Sequence, residues 1–305
     1  MIPPVALNTP LVRLPMPDDT REVWLKLENL SPIGSFKLRG VYPALEEARL
    51  GGGPIWTVSM GNFGRAVAWA ARRSGTTATV LIPQEAPVVK EAALAALGAA
   101  VERVALDELY ACMEAGGDPA RTGCYVDPVA FSAEVAGYGT IGLELAERLD
   151  DIDTVYAPWG GGALACGIAA ALSAVQPRAS VVACEPETGA ALTRSRAAGH
   201  PVEVDWTPSF VDAAGGRRVF PRAWELAEGL VSETAVVTLD EAAGAIRYLA
   251  EHAKVIAEGA GALAVAVALR PKTRGRTVCI VSGGNIDLPV LQRILGGETP
   301  PARGG

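Results

Sequence analysis

Strand-like and helix-like stretches alternate along the first half of the chain. The runs IWTVS (55–59), TATVLIP (77–83) and VERVAL (101–106) are rich in β-branched and apolar residues, and alanine-rich segments of helical composition separate them. Strands that alternate with helices in this way predict a βαβαβ unit with a parallel sheet.

A second series of the same kind occupies the rest of the chain. Its strand-like runs are TVYAPW (154–159), SVVACE (180–185) and TVCIVS (277–282), and GGGALACGIAAALSAV forms a helical segment after the first. The sequence therefore predicts two α/β lobes. Residues 241–255 carry apolar positions at helical spacing and predict a helix on the second lobe. Residues 186–235 are rich in Pro, Gly and charge, so we expect a surface excursion there rather than sheet.

Length and composition agree with two lobes. A chain of 305 residues exceeds a typical single core, and abundant Ala and Gly with few aromatics suit close packing of helices on a sheet. The net charge of -7, without any basic run, argues against nucleic acid as a partner. No apolar run is long enough to span a membrane and the N-terminus lacks a signal-peptide pattern, so we expect a cytoplasmic protein without membrane contact.

Cysteine and histidine usage disfavours several kinds of site. The five cysteines include no CxxC pair, which suggests neither a zinc site nor a disulfide framework and suits a reducing compartment. His200 and His252 are the only histidines, and neither lies beside a serine or cysteine in a nucleophile motif. A Ser-His-Asp hydrolase is therefore disfavoured, and in an enzyme another group must move protons.

A glycine-rich loop follows the strand TVYAPW. Gly160, Gly161 and Gly162 precede a predicted helix, so bare backbone N–H groups and a positive helix dipole are offered to an anion such as phosphate. A tight turn between strand and helix is the alternative. A further alternative is a nicotinamide-dependent oxidoreductase, because Gly160, Gly162 and Ala165 match G-x-G-x-x-A and Glu185 ends the next strand as a ribose-binding acid would.

Lys37 stands where a helix is predicted to begin, just after the chain breakers Pro32 and Gly34. Taken alone, a lysine is usually a solvated charge. Polar, flexible motifs also follow two predicted strands, SMGNFG (59–64) and SGGN (282–285). Ligands of parallel sheets gather at these carboxyl ends, so a loop-borne lysine together with a phosphate loop indicates a ligand site.

The ordered motifs of the chain resemble one family. They are TPL (9–11), SFKLRG (35–40), SMGNFG (59–64), IPQEAP (82–87), AGYGTIGLEL (136–145), PWGGGALACGIA (158–169), EGAGALA (258–264) and SGGNID (282–287). Together they resemble the fold-type II pyridoxal-phosphate (PLP) enzymes of the tryptophan synthase β superfamily, in the threonine/serine dehydratase and serine racemase branch. The resemblance implies an α/β fold with two open parallel-sheet lobes flanked by helices. It implies a large PLP-binding domain at 1–53 and 129–305 and a small mobile domain at 54–128.

The resemblance also implies a set of site residues. Lys37 would hold the cofactor as a Schiff base and act as the general base, since an amine in a poorly hydrated pocket favours its neutral form. Asn62 would bind the cofactor's phenolic oxygen, Ser282 would face its pyridine nitrogen, and Phe36 would also contact it. The phosphate would be held by the backbone N–H groups of Gly160, Gly161, Gly162, Ala163 and Leu164. The substrate would lie against Ser59, Met60, Gly61, Asn62 and Phe63.

The implied reaction is the α,β-elimination of a β-hydroxy amino acid of the threonine or serine type to a 2-oxo acid and ammonia. A hydroxyl at Ser282 has no reason to keep the pyridine nitrogen protonated, which favours prompt elimination. The alternatives are β-replacement of the cysteine-synthase type, the oxidoreductase above, and a catalytically silent α/β binding protein. We expect a homodimer that acts on a small-molecule amino acid.

Several residues depart from the family pattern. Met60 stands where racemases carry a serine, so racemisation is not expected. Phe63 replaces a usual histidine, and Val129, Ala130 and Phe131 replace a usually polar stretch, which suggests an apolar pocket. We therefore hypothesise a substrate bulkier than serine, with threonine retained as the alternative.

Two further departures bear on metal binding and on regulation. Glu185 matches the first ligand of a divalent-metal site seen in parts of the branch, but Ala191 falls where a second carboxylate is expected, so no metal site is predicted. Because the chain ends soon after Asp287, we expect no regulatory domain.

Overall fold

The computed structural model describes residues 7–16, 21–49, 53–59, 61–86, 88–128, 131–271 and 275–302. It contains two compact units. The first is built on Lys37–Gly137, and the second combines Asn8–Phe36 with the chain from Tyr138 onward. The predicted α/β fold with parallel sheets is confirmed, whereas the domain boundaries derived from the resemblance stay a prediction.

The described elements are ten strands and eleven α-helices. The strands are β1 (Leu11–Arg13), β2 (Glu22–Leu27), β3 (Ile55–Val58), β4 (Ala78–Pro83), β5 (Ala100–Val104), β6 (Cys124–Tyr125), β7 (Thr154–Pro158), β8 (Ser180–Pro186), β9 (Glu233–Val237) and β10 (Arg276–Val281). The helices are α1 (Leu38–Arg49), α2 (Asn62–Arg73), α3 (Val88–Ala96), α4 (Leu106–Ala115), α5 (Phe131–Ala146), α6 (Ala163–Val175), α7 (Ala191–Ala198), α8 (Pro221–Leu230), α9 (Leu239–Tyr248), α10 (Gly259–Ala268) and α11 (Leu288–Leu295). Among the residues described, no helix is long and apolar enough to cross a bilayer.

The first unit contains a four-stranded parallel sheet in the order β5-β4-β3-β6. Helix α2 joins β3 to β4 and α3 joins β4 to β5, which confirms the predicted βαβαβ unit. Along β4, Leu81 packs in a cluster with Leu109, whereas Val80 and Ile82 pack in another with Leu94. Both faces of the sheet are therefore covered, as the continuous apolar character of its strands requires.

The second unit contains a six-stranded sheet in the order β1-β2-β10-β7-β8-β9. Only the β1–β2 pair at its edge is antiparallel. Helix α10, whose sequence is GAGALAVAVA, is buried along its whole length and packs on β10 and β7. Its small side chains explain this placement, because they let the helix lie close to the sheet.

The expectation of a surface excursion at residues 186–235 is wrong in part. This segment contains α7 and α8, and β9 at its end pairs in parallel with β8. Helix α8 begins at Pro221, where a fixed φ and a missing N–H are tolerated. Strand β9 was missed because it lies at a sheet edge and only its last residue is fully buried, so its sequence ETAVV carries a weak apolar pattern.

The helix predicted at residues 241–255 is present and begins two residues earlier, as α9. Thr238 and Glu241 form a capping box, in which the Thr238 hydroxyl accepts from the Glu241 N–H and the Glu241 carboxylate accepts from the Thr238 N–H. The α-helical pattern gives way to a π turn at Leu249–Ala253, which ends at Lys254 with φ 59°. The apolar period predicted the helix but not this change of pitch.

A fully buried lysine explains why β2 was not predicted as a strand. Lys26 lies on β2, next to the edge strand β1, and has no exposed surface. Its Nζ donates to the Thr9 carbonyl oxygen at 2.8 Å and to the Glu144 carboxylate. The Thr9 hydroxyl in turn donates to the buried Glu28 carboxylate at 2.6 Å. The TPL motif therefore has a structural role, because the carbonyl oxygen of Thr9 accepts from buried Lys26 and its hydroxyl donates to buried Glu28.

We expect Glu144→Gln to lower the free energy of unfolding by about 3 kcal/mol, because it leaves the Lys26 ammonium buried without its counter-ion. Lys26→Met removes that charge at similar length and should cost less. Urea unfolding followed by circular dichroism measures both. Arg178→Gln is the control, since Arg178 pairs with Asp151 in solvent and should contribute little. Equal losses in the Glu144 and Arg178 variants would contradict the explanation.

Candidate active site

In the second unit, the segment that leads to Lys37 is bound to the loop after β10. The Phe36 N–H donates to the Ser282 carbonyl oxygen at 3.0 Å, and the Gly284 N–H donates to the Gly34 carbonyl oxygen at 2.9 Å. Gly34 has φ +73°, and a Cβ there would lie 2.7 Å from Asn285 Oδ1. The glycine of the chain break is thus required both by its backbone conformation and by the close approach of Asn285.

Helix α10 holds the loop after β10 in place. The carboxylate of Glu258, just before the helix, accepts from the Asn285 N–H at 3.0 Å, and the Glu258 N–H donates to the Gly283 carbonyl oxygen at 3.0 Å. A Cβ on Gly261 would collide with that same oxygen. Ser282, at the head of this loop, is buried with 3% of its surface exposed. The EGAGALA and SGGN motifs therefore form one packing unit that fixes the position of Ser282.

The glycine loop between β7 and α6 has the form of an anion site. Gly162 caps α6 with φ +91°, where a side chain is strained and a Cβ would lie 2.6 Å from the Trp159 ring. No side chain caps this helix start, so no side chain occupies its first N–H groups. A Cβ on Gly161 would extend into open space. A phosphate suits such a loop because the backbone N–H groups at the start of α6 lie at the positive end of the helix dipole.

Phe36 also packs against an aromatic side chain of the second unit. Its ring meets the ring of Tyr138 edge to face, with 4.7 Å between the ring centroids. Tyr138 is fully buried. Tyr138 therefore serves as a buried packing partner of Phe36.

Glu185 has a structural role that neither of its predicted functions anticipated. Its buried carboxylate accepts from the Leu192 N–H and the Thr193 N–H, both at 2.8 Å, and from the Thr193 hydroxyl at 2.7 Å. It thus satisfies the first turn of α7, which disfavours a ribose-binding role and with it the nicotinamide alternative. Burial raises the pKa of Glu185, and these hydrogen bonds oppose the rise. Across the described ranges no group of three potential metal-ligating side chains occurs.

Lys37 begins the first unit and precedes α1, with its carbonyl oxygen accepting from the Val41 N–H at 3.0 Å. The side chain is partly buried, and Nζ lies 5.6 Å from the centroid of the Phe63 ring. Burial lowers the pKa of Lys37 below its ordinary value of 10.5, while the negative charge of Glu134 opposes that effect. The amine is therefore closer to its neutral, nucleophilic form than a surface lysine is.

The turn between β3 and α2 is organised by Ser59. Its hydroxyl oxygen accepts from the Gly61 N–H at 3.1 Å and from the Gly64 N–H at 2.8 Å. Asn62 is the first residue of α2, and Phe63, which follows it, is buried. Ser59 thus fixes the backbone at which the substrate contacts were predicted. Met60 lies outside the described residues, as do Val129 and Ala130, so the expectations that depend on them are untested.

Sequence reasoning missed Glu134 on α5. Only 1% of its surface is exposed, and its charge acts on Lys37. A single glutamate in the helical stretch FSAEVAGYG gives no sign of burial, because glutamate in a helix is most often solvated. The carboxylate that acts on Lys37 could be recognised only from the packing of the folded chain.

In the first unit, the lysine with a lowered pKa suits attack on an aldehyde. In the second unit, the glycine-rich helix start and the buried serine after a parallel strand suit a phosphate-bearing cofactor. PLP fits these residues, since it offers an aldehyde to the amine and a phosphate to the glycine loop. The chain belongs to the pyridoxal-phosphate dependent enzyme family, whose pattern matches residues 2–283. The predictions of family, of α/β fold and of PLP as cofactor are thereby confirmed.

Relatives and solved structures agree with this family. The chain is 38% identical over 283 residues to an L-threonine ammonia-lyase of Thermotoga maritima, covering 90% of this chain and 70% of that protein. It is 36% identical over 288 residues to a putative threonine dehydratase of Sinorhizobium fredii, covering 90% and 86%. The processed form of threonine deaminase isoform 2 from Solanum lycopersicum superposes with a TM-score of 0.82 at 26% identity, covering 95% of this chain and 88% of that one.

We expect Glu185→Ala to lower the free energy of unfolding by about 2 kcal/mol, because α7 loses the acceptor of its first N–H groups. Glu185→Gln separates charge from shape. Since burial raises the folded-state pKa above 4.5, the contribution of this carboxyl is fully present below that pH and is lost as pH rises through the raised value. As pH rises through this window, the free energy of unfolding of wild type should therefore fall relative to that of Glu185→Gln, as measured by urea unfolding. A rise relative to Glu185→Gln would refute the structural role of the Glu185 carboxyl.

Proposed function

We propose that the chain is an ammonia-lyase that carries out α,β-elimination on a β-hydroxy amino acid of the threonine or serine type and releases a 2-oxo acid and ammonia. The observation that carries the proposal is the Lys37 amine, whose burial lowers its pKa and suits it to accept a proton. The relatives named as threonine ammonia-lyase and threonine dehydratase support this reaction rather than β-replacement of the cysteine-synthase type.

Each predicted cofactor-binding residue receives a role in this proposal. Lys37 would attach PLP covalently, Asn62 would hydrogen-bond its phenolic oxygen, and Ser282 would face its ring nitrogen beside Phe36. The backbone N–H groups of Gly160, Gly161, Gly162, Ala163 and Leu164 would hold the phosphate. When bound, the cofactor supplies an electron sink for the α-carbon of an amino acid.

The chain's own residues perform the remaining tasks. The Lys37 amine accepts the α-proton of the substrate, because its lone pair is available in the neutral form. The Ser59 hydroxyl holds the turn that begins α2, and a substrate carboxylate at that helix start is favoured by the helix dipole. The buried Phe63 ring beside Lys37 limits water around the amine. These residues thus orient the substrate and favour the neutral form of the base.

Buried thiols support the expected compartment. All five cysteines are buried and outside any disulfide bond, and burial raises the pKa of Cys166 to about 12. Such thiols are unreactive and form no disulfides, which suits a cytoplasmic enzyme. The cytoplasmic location and a homodimeric assembly are part of this proposal. Cell fractionation tests the location, and light scattering of the purified protein tests the assembly.

Lys37→Ala should abolish both the visible absorption of bound PLP, near roughly 410 nm, and the release of 2-oxo acid, because the covalent link and the base are lost together. Borohydride reduction followed by peptide mass spectrometry locates the modified lysine. Lys254→Asn is the matched control, since Lys254 is exposed and asparagine tolerates its φ of 59°. A modified lysine at another position, with turnover preserved in Lys37→Ala, would overturn the assignment.

The Phe63 ring favours a second hypothesis on the substrate, namely a side chain bulkier than that of serine. Its place beside Lys37 makes the surroundings of the base apolar. We expect kcat/KM for threonine or phenylserine to exceed that for serine. Phe63→His should reduce the ratio of these kcat/KM values by about tenfold, because a few apolar contacts with the substrate are lost. Steady-state kinetics on the three substrates measures this, and a strong preference for serine would exclude the hypothesis.

A further inference from the structure

We propose that Glu134 is a positioning residue for Lys37: its buried carboxylate on α5 stabilises the protonated form that the Lys37 side chain takes when it removes the substrate proton. This inference rests on the proposed function, in which Lys37 is the base. It concerns a residue that belongs to none of the motifs from which the family resemblance was drawn.

A close backbone contact in the first unit brings together the segments that carry the two residues. A Cβ on Gly137 of α5 would collide with the Arg39 carbonyl oxygen and lie 2.9 Å from Gly40 Cα, so the two backbones touch there. Glu134 precedes Gly137 by three residues and Lys37 precedes Gly40 by three residues. Glu134 therefore lies one turn before this contact on α5, and Lys37 lies in the segment that enters α1 next to it.

The surroundings of the pair contain little water. Glu134 is 1% exposed and Phe63 is 5% exposed. Within the first unit, α2 faces the amine with the Phe63 ring and α5 faces it with the Glu134 charge. A carboxylate removed from water requires a compensating charge, and an amine beside an aromatic ring favours neutrality unless an anion is near. The opposite effects of burial and of Glu134 on the pKa of Lys37 agree with this arrangement.

The proton balance explains what the carboxylate contributes. During elimination the C–H bond at the α-carbon breaks, its electron pair stays on the carbon side, and the proton bonds to the lone pair of Lys37 Nζ. The resulting ammonium would be costly in a poorly hydrated site, and the Glu134 anion offsets that cost without accepting the proton itself. Removal of the charge should therefore slow proton uptake by Lys37 while leaving its position nearly unchanged.

Cofactor attachment gives a readout that does not depend on turnover. The full-length protein is freed of cofactor, mixed with PLP over roughly pH 6 to 10, and quenched with borohydride, so that modified Lys37 can be quantified by peptide mass spectrometry. Only the neutral amine attacks the aldehyde, so the rate follows the ionisation of Lys37. Glu134→Gln should move the midpoint of this profile down by about one pH unit, since the anion that favours the ammonium is gone.

Two variants separate charge from shape and from position. Glu134→Asp keeps the charge and should leave the midpoint closer to wild type than Glu134→Gln does. Glu108→Gln removes an exposed carboxylate on α4 of the same unit and should leave the profile unchanged. An unmoved midpoint in Glu134→Gln, a shift to higher pH, or an equal shift in Glu108→Gln would each overturn the proposal.

A reciprocal measurement covers the case in which Glu134→Gln does not fold. Lys37→Met leaves the Glu134 carboxylate buried without its cation, so the ionised form is destabilising. The unfolding temperature of Lys37→Met should fall relative to wild type as pH rises from about 5 to 8, because that form then predominates. Lys37→Met combined with Glu134→Gln should lack this fall. Parallel pH dependences in the three proteins would refute the pairing.

The outcomes distinguish this inference from the proposed function. If borohydride fixes PLP to a lysine other than Lys37 in wild type, the assignment of Lys37 fails and the inference with it. If Lys37 is modified but the profiles of wild type and Glu134→Gln coincide, only the role of Glu134 fails.

Discussion

Backbone hydrogen bonds between the segment before Lys37 and the loop after β10 are the constraint on which the site depends. Phe36 donates to Ser282, and Gly284 donates to Gly34. These bonds join the two ends of the chain, so the residue that precedes the reactive lysine is fixed by the last strand of the six-stranded sheet. Side chains do not take part in them. The position of Phe36 is consequently insensitive to most side-chain substitutions, but it is sensitive to substitution of Gly34 or Gly284.

Burial then gives the lysine its chemistry. Loss of water favours the neutral amine, which suits it for attack on an aldehyde and for removal of a proton, and the nearby carboxylate limits how far that shift goes. A second lysine, Lys26, is fully buried, and its Nζ donates to the Thr9 carbonyl oxygen and to the Glu144 carboxylate. One chain thus contains two lysines removed wholly or partly from water, one with a structural role and one proposed to be reactive.

Much of the fold was predictable, for reasons that individual elements make clear. The strands β3, β4, β7, β8 and β10 are continuous apolar runs because both faces of their sheets are covered, and alanine-rich helices follow most of them. Strand β2 was hidden by Lys26, whose burial depends on Glu144 far along the chain. Lys37 and the glycine loop were found through short motifs with their own backbone requirements. Glu134 and the capping role of Glu185 were not, because each depends on a partner that only the packing brings near.

Helix α10 also has a consequence for how such an enzyme diversifies. The gap between Gly261 and the Gly283 carbonyl oxygen is too small for even one methyl group, so the spacing of helix and loop is set by the absence of side chains. No substitution at these positions can shift Ser282 by a small, graded amount. The position of Ser282 is therefore set by backbone contacts that leave no room for an intermediate arrangement.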